Sequence, residues 1–386
     1  MKEATKIDLL KRLVATPSFT GYENGDLEVS DLLNDFLLSY GVKSWVDHID
    51  ERQCNVVARI GREGGEKILL NGHLDTVQIS GMSCDPFGEE RNGFLYGRGT
   101  SDMKSGVAAL VCSMIALLDQ EINDDIWFIG VAEEENGDIG LRSFIDKYGK
   151  DFAFSIVAEP TRLIPIVCHK GIKWIQITFK GRSAHGSIPE KGINAIDAAA
   201  DFLTRVNSQL KKKLSNRRHE ILGTSTVSAG TIAGGTNTNM VADKCVITLD
   251  RRYIPGEEDD SVLSEIRDLA RSASRNGSEF EVEEMSQTSY MNHIPFELPR
   301  DSVLLKYAKD VLREFNLQEN ESGLSFWTEA AVMNAEGCDS LVIGPGDPSL
   351  AHAPDERVEY KEYLNAIKVF TGICKKLSER SCSSEC

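Results

Sequence analysis

Four short apolar runs in this chain stop abruptly at carboxylates, an imidazole or a Gly-Pro-Gly turn, and this pattern constrains the fold more than any other feature. Residues 67–76 read KILLNGHLDT. Ile68, Leu69 and Leu70 make the continuous run of a strand buried on both faces, the chain turns at Asn71-Gly72, and His73 and Asp75 follow at once. Residues 126–131 run into Glu133, Glu134 and Glu135, residues 154–158 into Glu159, and residues 340–343 into Gly344-Pro345-Gly346 ahead of His352. Open α/β sheets place their chemistry in the crevice outside the carboxyl ends of their strands. The expectation is one metal site built from these strand ends.

The chain has 386 residues, which suggests two domains, and 41% of them are hydrophobic, enough for a full core. Lys and Arg number 43 against 60 Asp and Glu, a formal net charge of -17. That balance argues against nucleic acid or an anionic membrane as partner, because either needs a basic face. The N-terminal stretch MKEATKIDLLKRLV reads as an amphipathic helix and not as a signal peptide. The longest apolar run, 107–118, is too short to span a bilayer and reads as a core helix. Nine scattered cysteines without a CxxC pair fit reduced thiols, so the expected location is cytoplasmic; Cys382 and Cys386 fall in a polar tail.

In chain order, helices are expected over 5–15, 28–40 and 105–118, with a strand over 54–60. Asp102 stands just ahead of the third helix, where a carboxylate serves either as an N-cap or as a ligand. From residue 172 the texture changes. IKWIQITFK alternates like a half-exposed antiparallel strand, and a helix (194–210), two strands (224–232 and 244–249), a helix (260–276) and a strand (279–285) follow. That β-α-β-β-α-β order is the split βαβ, ferredoxin-like layout. The expected fold is a mixed-sheet α/β catalytic domain, 1–173 and 291–386, interrupted by an α+β domain over 174–290. The chain then resumes with 292–298, a helix at 302–315, the 340–343 strand and a last helix at 361–377.

The candidate ligands are His73, Asp102, Glu135, Glu159 and His352. Two divalent zinc ions close together need such a set, with a position left for water. With Asp102 bridging, each ion has one bridging carboxylate, one terminal carboxylate and one imidazole. Three carboxylates and one hydroxide balance the charge of two zinc ions, the state a low-dielectric pocket tolerates best. Glu134, next to a ligand, is placed as general base for the attacking water. Asp75, two residues past His73, is placed to hold the second nitrogen of that imidazole.

These residues resemble the dinuclear zinc aminoacylases and exopeptidases, the family of acetylornithine deacetylase, succinyl-diaminopimelate desuccinylase and glutamate carboxypeptidase. The matching stretches are GHLDT (72–76), YGRGTSDMKSG (96–106), AEEENGDIG (132–140), AEPT (158–161), GRSAHGSIPEKGINAI (181–196), NMVADKCVITLDRRYIPGE (239–257) and AHAPDE (351–356). The resemblance implies a zinc-exopeptidase-like catalytic domain with an inserted dimerisation domain and two zinc ions per subunit, for which cobalt substitutes. It implies His73, Asp102 and Glu159 on one ion and Asp102, Glu135 and His352 on the other, with Glu134 as base and Asp75 orienting His73. The family reads Asp-Glu-Glu where this chain has Glu133-Glu134-Glu135, and a slip by one would move base and ligand to Glu133 and Glu134. His185, in SAHG, is implied to reach across a homodimer and stabilise the oxyanion in the partner's site. The resemblance implies substrate contacts at Asn239 and Arg252, and Lys170 and Thr328, in the stretches HKG and FWTEA, are further substrate-binding candidates. An Asp250–Arg252 surface pair is the alternative for Arg252, and Arg251 is its neighbour. His48, His169, His219 and His293 match no motif and read as structural or solvated.

The branch with His169-Lys170-Gly171, Glu329 and the AHAPDE ending looks most like acetylornithine deacetylase. The reading is therefore a cytoplasmic, homodimeric amidohydrolase that removes the N-acyl group from a small amino acid, with N-acetylornithine (arginine biosynthesis) first. A desuccinylase or a dipeptidase or carboxypeptidase of the same mechanism is the close alternative. A catalytically silent dimer that binds amino-acid derivatives is the distant one.

Overall fold

The structure, a computed structural model, describes residues 1–137, 139–274, 277–286 and 293–383. Asp138 inside the 137–140 glycine pair, Asn276 at the end of an expected helix, Asn292 and Cys386 lie outside the described residues. The chain begins with α1 (Glu3–Ala15), α2 (Leu27–Ser39), β1 (Lys43–His48), β2 (Cys54–Gly61), β3 (Lys67–His73), β4 (Glu89–Arg91), β5 (Phe94–Tyr96), α3 (Lys104–Leu117), β6 (Asp125–Val131), α4 (Ile139–Tyr148), β7 (Phe154–Val157) and β8 (Ile166–His169). It continues through β9 (Gly171–Lys180), α5 (Ala195–Arg205), β10 (Thr226–Gly234), β11 (Lys244–Tyr253), α6 (Asp259–Ala273) and β12 (Glu279–Glu284). It ends with α7 (Val303–Glu314), α8 (Ala330–Ala335), β13 (Asp339–Val342), β14 (Arg357–Glu359) and α9 (Tyr360–Ser383).

Two compact units result: one from Met1–Val167, Leu298–Ser322 and Thr328 onward, the other from Cys168–Glu297 and Gly323–Trp327. In the first, the sheet order is β1-β2-β6-β3-β7-β13, with Ile166 of β8 beyond Val342. The four middle strands, β6, β3, β7 and β13, run parallel, and β1 and β2 pair antiparallel at one side. Strands covered on both faces must be apolar throughout, and β6 is buried at every residue. Connections from β3 and β7 leave in opposite directions, β3 to β6 and β7 to β13, so the β3–β7 boundary is a topological switch point.

The run read as a core helix is α3, in which thirteen of fourteen residues are buried. A helix apolar all round must be covered all round. It touches the sheet at backbone distance. A Cβ on Gly106 would lie 2.1 Å from the carbonyl oxygen of Ala158, the residue before Glu159. Gly344 approaches the same oxygen, its Cβ position 2.3 Å away.

The second unit has sheet order β10-β11-β9-β12, all antiparallel, the strand order of a split βαβ fold. Its core joins Ile175, Ile177 and Phe179 of β9, Phe202 of α5, Ile247 of β11 and Ile266 of α6. The fold is thus the expected mixed α/β domain carrying a ferredoxin-like insert. Asn194 caps α5 by accepting from the N–H of Ile196, and the helix runs past its expected end through a π turn, Val206–Leu210, and a last turn, Lys211–Leu214. No helix among the described residues is long and apolar enough to cross a membrane.

Candidate metal centre

Within the first unit, the parallel strands deliver the expected residues to one place. His73 is the last residue of β3 and is buried. Glu134 and Glu135 follow β6, and Glu159 follows β7 by one residue beyond Ala158. His352 lies on the long loop between β13 and β14.

Asp102 sits between the two imidazoles. Its Oδ1 lies 3.0 Å from Nε2 of His73, and its Oδ2 lies 3.2 Å from Nε2 of His352. Each imidazole nitrogen faces one further carboxylate: Glu159 Oε1 is 3.9 Å from His73, and Glu135 Oε2 is 3.1 Å from His352. The donor atoms of His73, Asp102 and Glu135 lie within 4.8 Å of one another, as do those of His73, Glu134 and Glu159. Distance alone therefore leaves Glu134 as a further donor beside His73. It does separate Glu135 from Glu134, since only Glu135 of the two bonds His352.

The N-cap alternative for Asp102 is not the one adopted. Met103 occupies the cap position of α3, without a side-chain cap bond, and the Asp102 carboxylate turns to the imidazoles.

Asp75 does something the sequence reading did not contain. The contact to Nδ1 of His73 comes from its backbone oxygen at 2.9 Å, with the nearer carboxylate oxygen at 3.5 Å. Its two carboxylate oxygens instead accept the backbone N–H of Glu134 at 3.1 Å and of Glu135 at 3.0 Å. Two non-glycine residues of this region, Glu133 (φ 59°) and His352 (φ 62°), hold left-handed backbone, a conformation that costs about 1–2 kcal/mol for an L-residue. Such outliers gather where surrounding structure overrides local preference.

The electrostatics test whether a cation fits. Burial and then the neighbouring carboxylates Asp102 and Glu135 push the Glu159 carboxyl well above its ordinary value. Burial does the same to Glu134, helped by Glu159 and Glu135 and opposed by His73. For Asp102 burial is outweighed by the two imidazoles, which hold it below the usual carboxylate range. His73 is raised well above its ordinary value because hydrogen bonds to Asp102 and Asp75 outweigh its burial, and His352 is raised to about 10 by Asp102 and Glu135. Two buried carboxylates, Asp102 and Glu159, and two half-buried ones, Glu134 and Glu135, around two imidazoles are short of positive charge, and imidazole with carboxylate is the donor set of a divalent zinc-type ion. The residues fit a metal.

Several residues escaped the sequence reading. Glu329, just before α8, is 1% exposed and accepts from Nδ2 of Asn71 at 2.9 Å. Lys104 is buried and donates to the carbonyls of Leu13 and Thr16 at 3.0 and 2.7 Å. Arg98 and Glu356 form a buried pair at 2.6 Å. Their signal was membership of the matching stretches without an assigned role.

The second unit carries its own candidates. His185 is exposed, its Nδ1 2.7 Å from Ser187 Oγ, and its strand segment bridges Met240, next to exposed Asn239. Arg252 pairs with Asp250 through two bonds of 2.9 and 3.1 Å, whereas Arg251 is wholly buried on Glu257 at 2.6 Å. Lys170 donates to the carbonyl of Thr224 at 2.7 Å. His169 is fully buried, with its ring 5.2 Å from that of Phe296. Thr328, in the first unit, is buried at the start of α8, with Ala330 N–H 3.4 Å from its hydroxyl.

The model of peptidase family M20/M25/M40 matches residues 69–376. A probable succinyl-diaminopimelate desuccinylase of Staphylococcus aureus (strain N315) is 30% identical over 95% of this chain and 96% of its own. An acetylornithine deacetylase of Proteus mirabilis is 30% identical over 93% of both chains. Among solved structures, aminopeptidase PepT of Bacillus cereus superposes with a TM-score of 0.80 at 18% identity, over 98% of this chain and 99% of that one. A dinuclear metal-binding peptidase of Bacillus subtilis does so with a TM-score of 0.75 at 16% identity, over 98% of each chain. The structural likenesses concern the fold; the match of the family model and of relatives along the whole chain concerns descent. This chain belongs to peptidase family M20/M25/M40 and is a hydrolase of that family.

Proposed function

We propose that the chain is a metal-dependent amidohydrolase that removes the N-acyl group from a small amino acid bearing a free carboxylate, N-acetylornithine first. The observation that carries the reading is Asp102, whose two oxygens face two different imidazoles, each completed by its own glutamate. His73, Asp102 and Glu159 would hold one ion and Asp102, Glu135 and His352 the other; two zinc ions, or cobalt in their place, suit these donors. When bound, such ions polarise an amide carbonyl and lower the pKa of the attacking water.

The chain's own groups do the rest. Glu134 accepts the proton of the attacking water at its carboxylate and returns it to the amide nitrogen as the C–N bond breaks. Asp75, by holding the N–H groups of Glu134 and Glu135, keeps base and ligand in register. His185, Asn239, Arg252, Lys170 and Thr328 are proposed as substrate contacts on the family resemblance, with His185 from the partner of a homodimer stabilising the oxyanion. A homodimer is supported by β10, an edge strand with one buried residue in nine, and by exposed Ile232, Met240 and Ile196 (54, 45 and 41% exposed) in the same unit. The proposed location is cytoplasmic.

The relative from Staphylococcus aureus favours a second reading, succinyl-diaminopimelate desuccinylation by the same steps. A panel on metal-free protein, reloaded with zinc or cobalt, decides. It compares N-acetylornithine, other N-acetyl amino acids, N-succinyl-diaminopimelate and dipeptides. Metal-dependent cleavage led by N-acetylornithine supports the proposal; a lead by another substrate moves the name and keeps the chemistry. Metal uptake without any amide cleavage overturns it.

A further inference from the structure

Three backbone segments carrying proposed ligands meet at one buried ion pair. Glu356 is 0% exposed, and a carboxylate in that position must be fully compensated. Its Oε2 accepts from Nη1 of Arg98 at 2.6 Å. Its Oε1 accepts two consecutive backbone N–H groups, Ser101 at 2.9 Å and Asp102 at 3.0 Å. Arg98, itself 5% exposed, donates Nε to the carbonyl of Gln78 at 3.2 Å. The pair thus ties the segment after His73, the turn that carries Asp102, and the loop that carries His352.

The small sheet fixes where this happens. Arg357 of β14 pairs with Tyr96 of β5, so the residue before β14 lies against the turn that follows β5. The backbone N–H of Gly97 donates to the carbonyl of Glu356 at 3.0 Å, and Ser101 Oγ accepts from the N–H of Asp347 at 3.1 Å. The main chain around Asp102 is therefore held from the side of the His352 loop. A buried ion pair is weak evidence for stability, since apolar residues of similar volume often replace one without loss. Its bonds to the main chain of two consecutive residues, Ser101 and Asp102, are stronger evidence for placement.

We propose that Arg98 and Glu356 are a positioning pair for the centre: Glu356 clamps the main chain of Asp102 so that its two carboxylate oxygens are shared between His73 and His352. This rests on the metal reading of the site. It concerns residues that touch neither substrate nor ion.

The test uses full-length protein, made metal-free and titrated with Co2+, read by its visible absorption, and with Zn2+ by chelator competition. Wild type is compared with Glu356→Gln, with Glu356→Asp and with the double variant Arg98→Met/Glu356→Gln, each checked for folding by circular dichroism. The expected result is folded Glu356→Gln protein with metal affinity about 10–100-fold weaker, an altered cobalt spectrum, and partial recovery of both in Glu356→Asp. Wild-type affinity and spectrum in folded Glu356→Gln overturn the proposal. Should Glu356→Gln not fold, the double variant, which buries no unpaired cation, is read the same way. Failure of both to fold makes the pair a folding element and also overturns it. If wild type takes up no cobalt or zinc, the metal reading itself falls, a result distinct from equal binding by all four proteins.

Discussion

Asp75 Oδ2 accepts the backbone N–H of Glu135 at 3.0 Å. With the matching bond from Glu134, a residue two positions past one proposed ligand sets the main chain of another. An amide in its place offers one acceptor and turns a donor toward an N–H. Asp75→Asn is expected to lower metal affinity about 10–100-fold and to lower kcat as well. Competition binding beside steady-state kinetics checks this; an Asn variant equal to wild type in both would remove Asp75 from the site's construction.

Glu134 is the residue whose loss should separate binding from chemistry. Glu134→Ala is expected to retain bound metal while kcat falls about 100–10,000-fold, the range of a positioned general base. Metal content by mass spectrometry and turnover on the preferred amide are the two readings. Turnover near wild type would shift the base elsewhere in the Glu133–Glu135 run.

Gly106 predicts a packing effect. A methyl there meets the Ala158 carbonyl at 2.1 Å, so either α3 or the β7 end must move. Overpacking of this kind costs about 1–3 kcal/mol. Because Glu159 is the next residue after Ala158, Gly106→Ala should weaken metal binding as well as lower the melting temperature. A variant that loses stability yet binds metal as before would show that the strand end yields without moving Glu159.

In the second unit, acid should act through Glu257. Burial would raise its carboxyl, but Ser225, Arg251, the Ile254 N–H and Arg217 together hold it below its ordinary value. Glu265, bonded by Arg217 and Lys213, is lowered too. A carboxyl with a depressed folded pKa adds stability above its unfolded pKa of about 4.3 and loses it as pH falls through the folded value. Thermal unfolding from pH 7 to pH 3 should therefore show wild type losing its margin over Glu257→Gln as carboxyls protonate. A margin independent of pH would contradict the ion network. At pH 7 the substitution is expected to cost about 3–5 kcal/mol, since it leaves Arg251 buried beside a neutral partner.

The proposed role of His185 has a complementation test. Glu134→Ala and His185→Ala proteins, each inactive, should partly restore activity when mixed under conditions where subunits exchange. Absence of recovery in demonstrated heterodimers would count against a histidine acting across the dimer.

What the sequence made legible is the set of strand ends. The 126–131 and 154–158 runs stop where β6 and β7 stop or one residue past them, but β3 does not turn at Asn71-Gly72 after Ile68–Leu70: it runs on, still buried, to His73. The split βαβ insert was legible for the opposite reason, the alternation read in residues 172–180, which β9 shows from Trp174 to Ile177 and β11 shows along its whole length. β1 went unread because the one buried position among its six residues is a charged one, Asp47, so no apolar alternation registers. The helix after Asn194 was ended too early at Lys211-Lys212-Lys213, although Leu214 beyond them is buried. Arg98 and Glu356 were unreadable as a pair, because charged residues far apart in sequence look like surface until the fold buries them together.

The placement of β13 also bears on how the protein is made. This strand pairs parallel with β7, Leu341 opposite Ile156, and it is followed in sequence by His352. A ribosome therefore releases β1 through β7, with His73, Asp102, Glu135 and Glu159 already present, before the strand that covers β7's free edge exists. Until then an apolar parallel strand stands open, the kind of edge that recruits other chains. Translation that stops short of residue 339 should yield aggregated chains and not a half-built enzyme, so the C-terminal segment would act as the latch of biosynthesis as well as the source of the last proposed ligand.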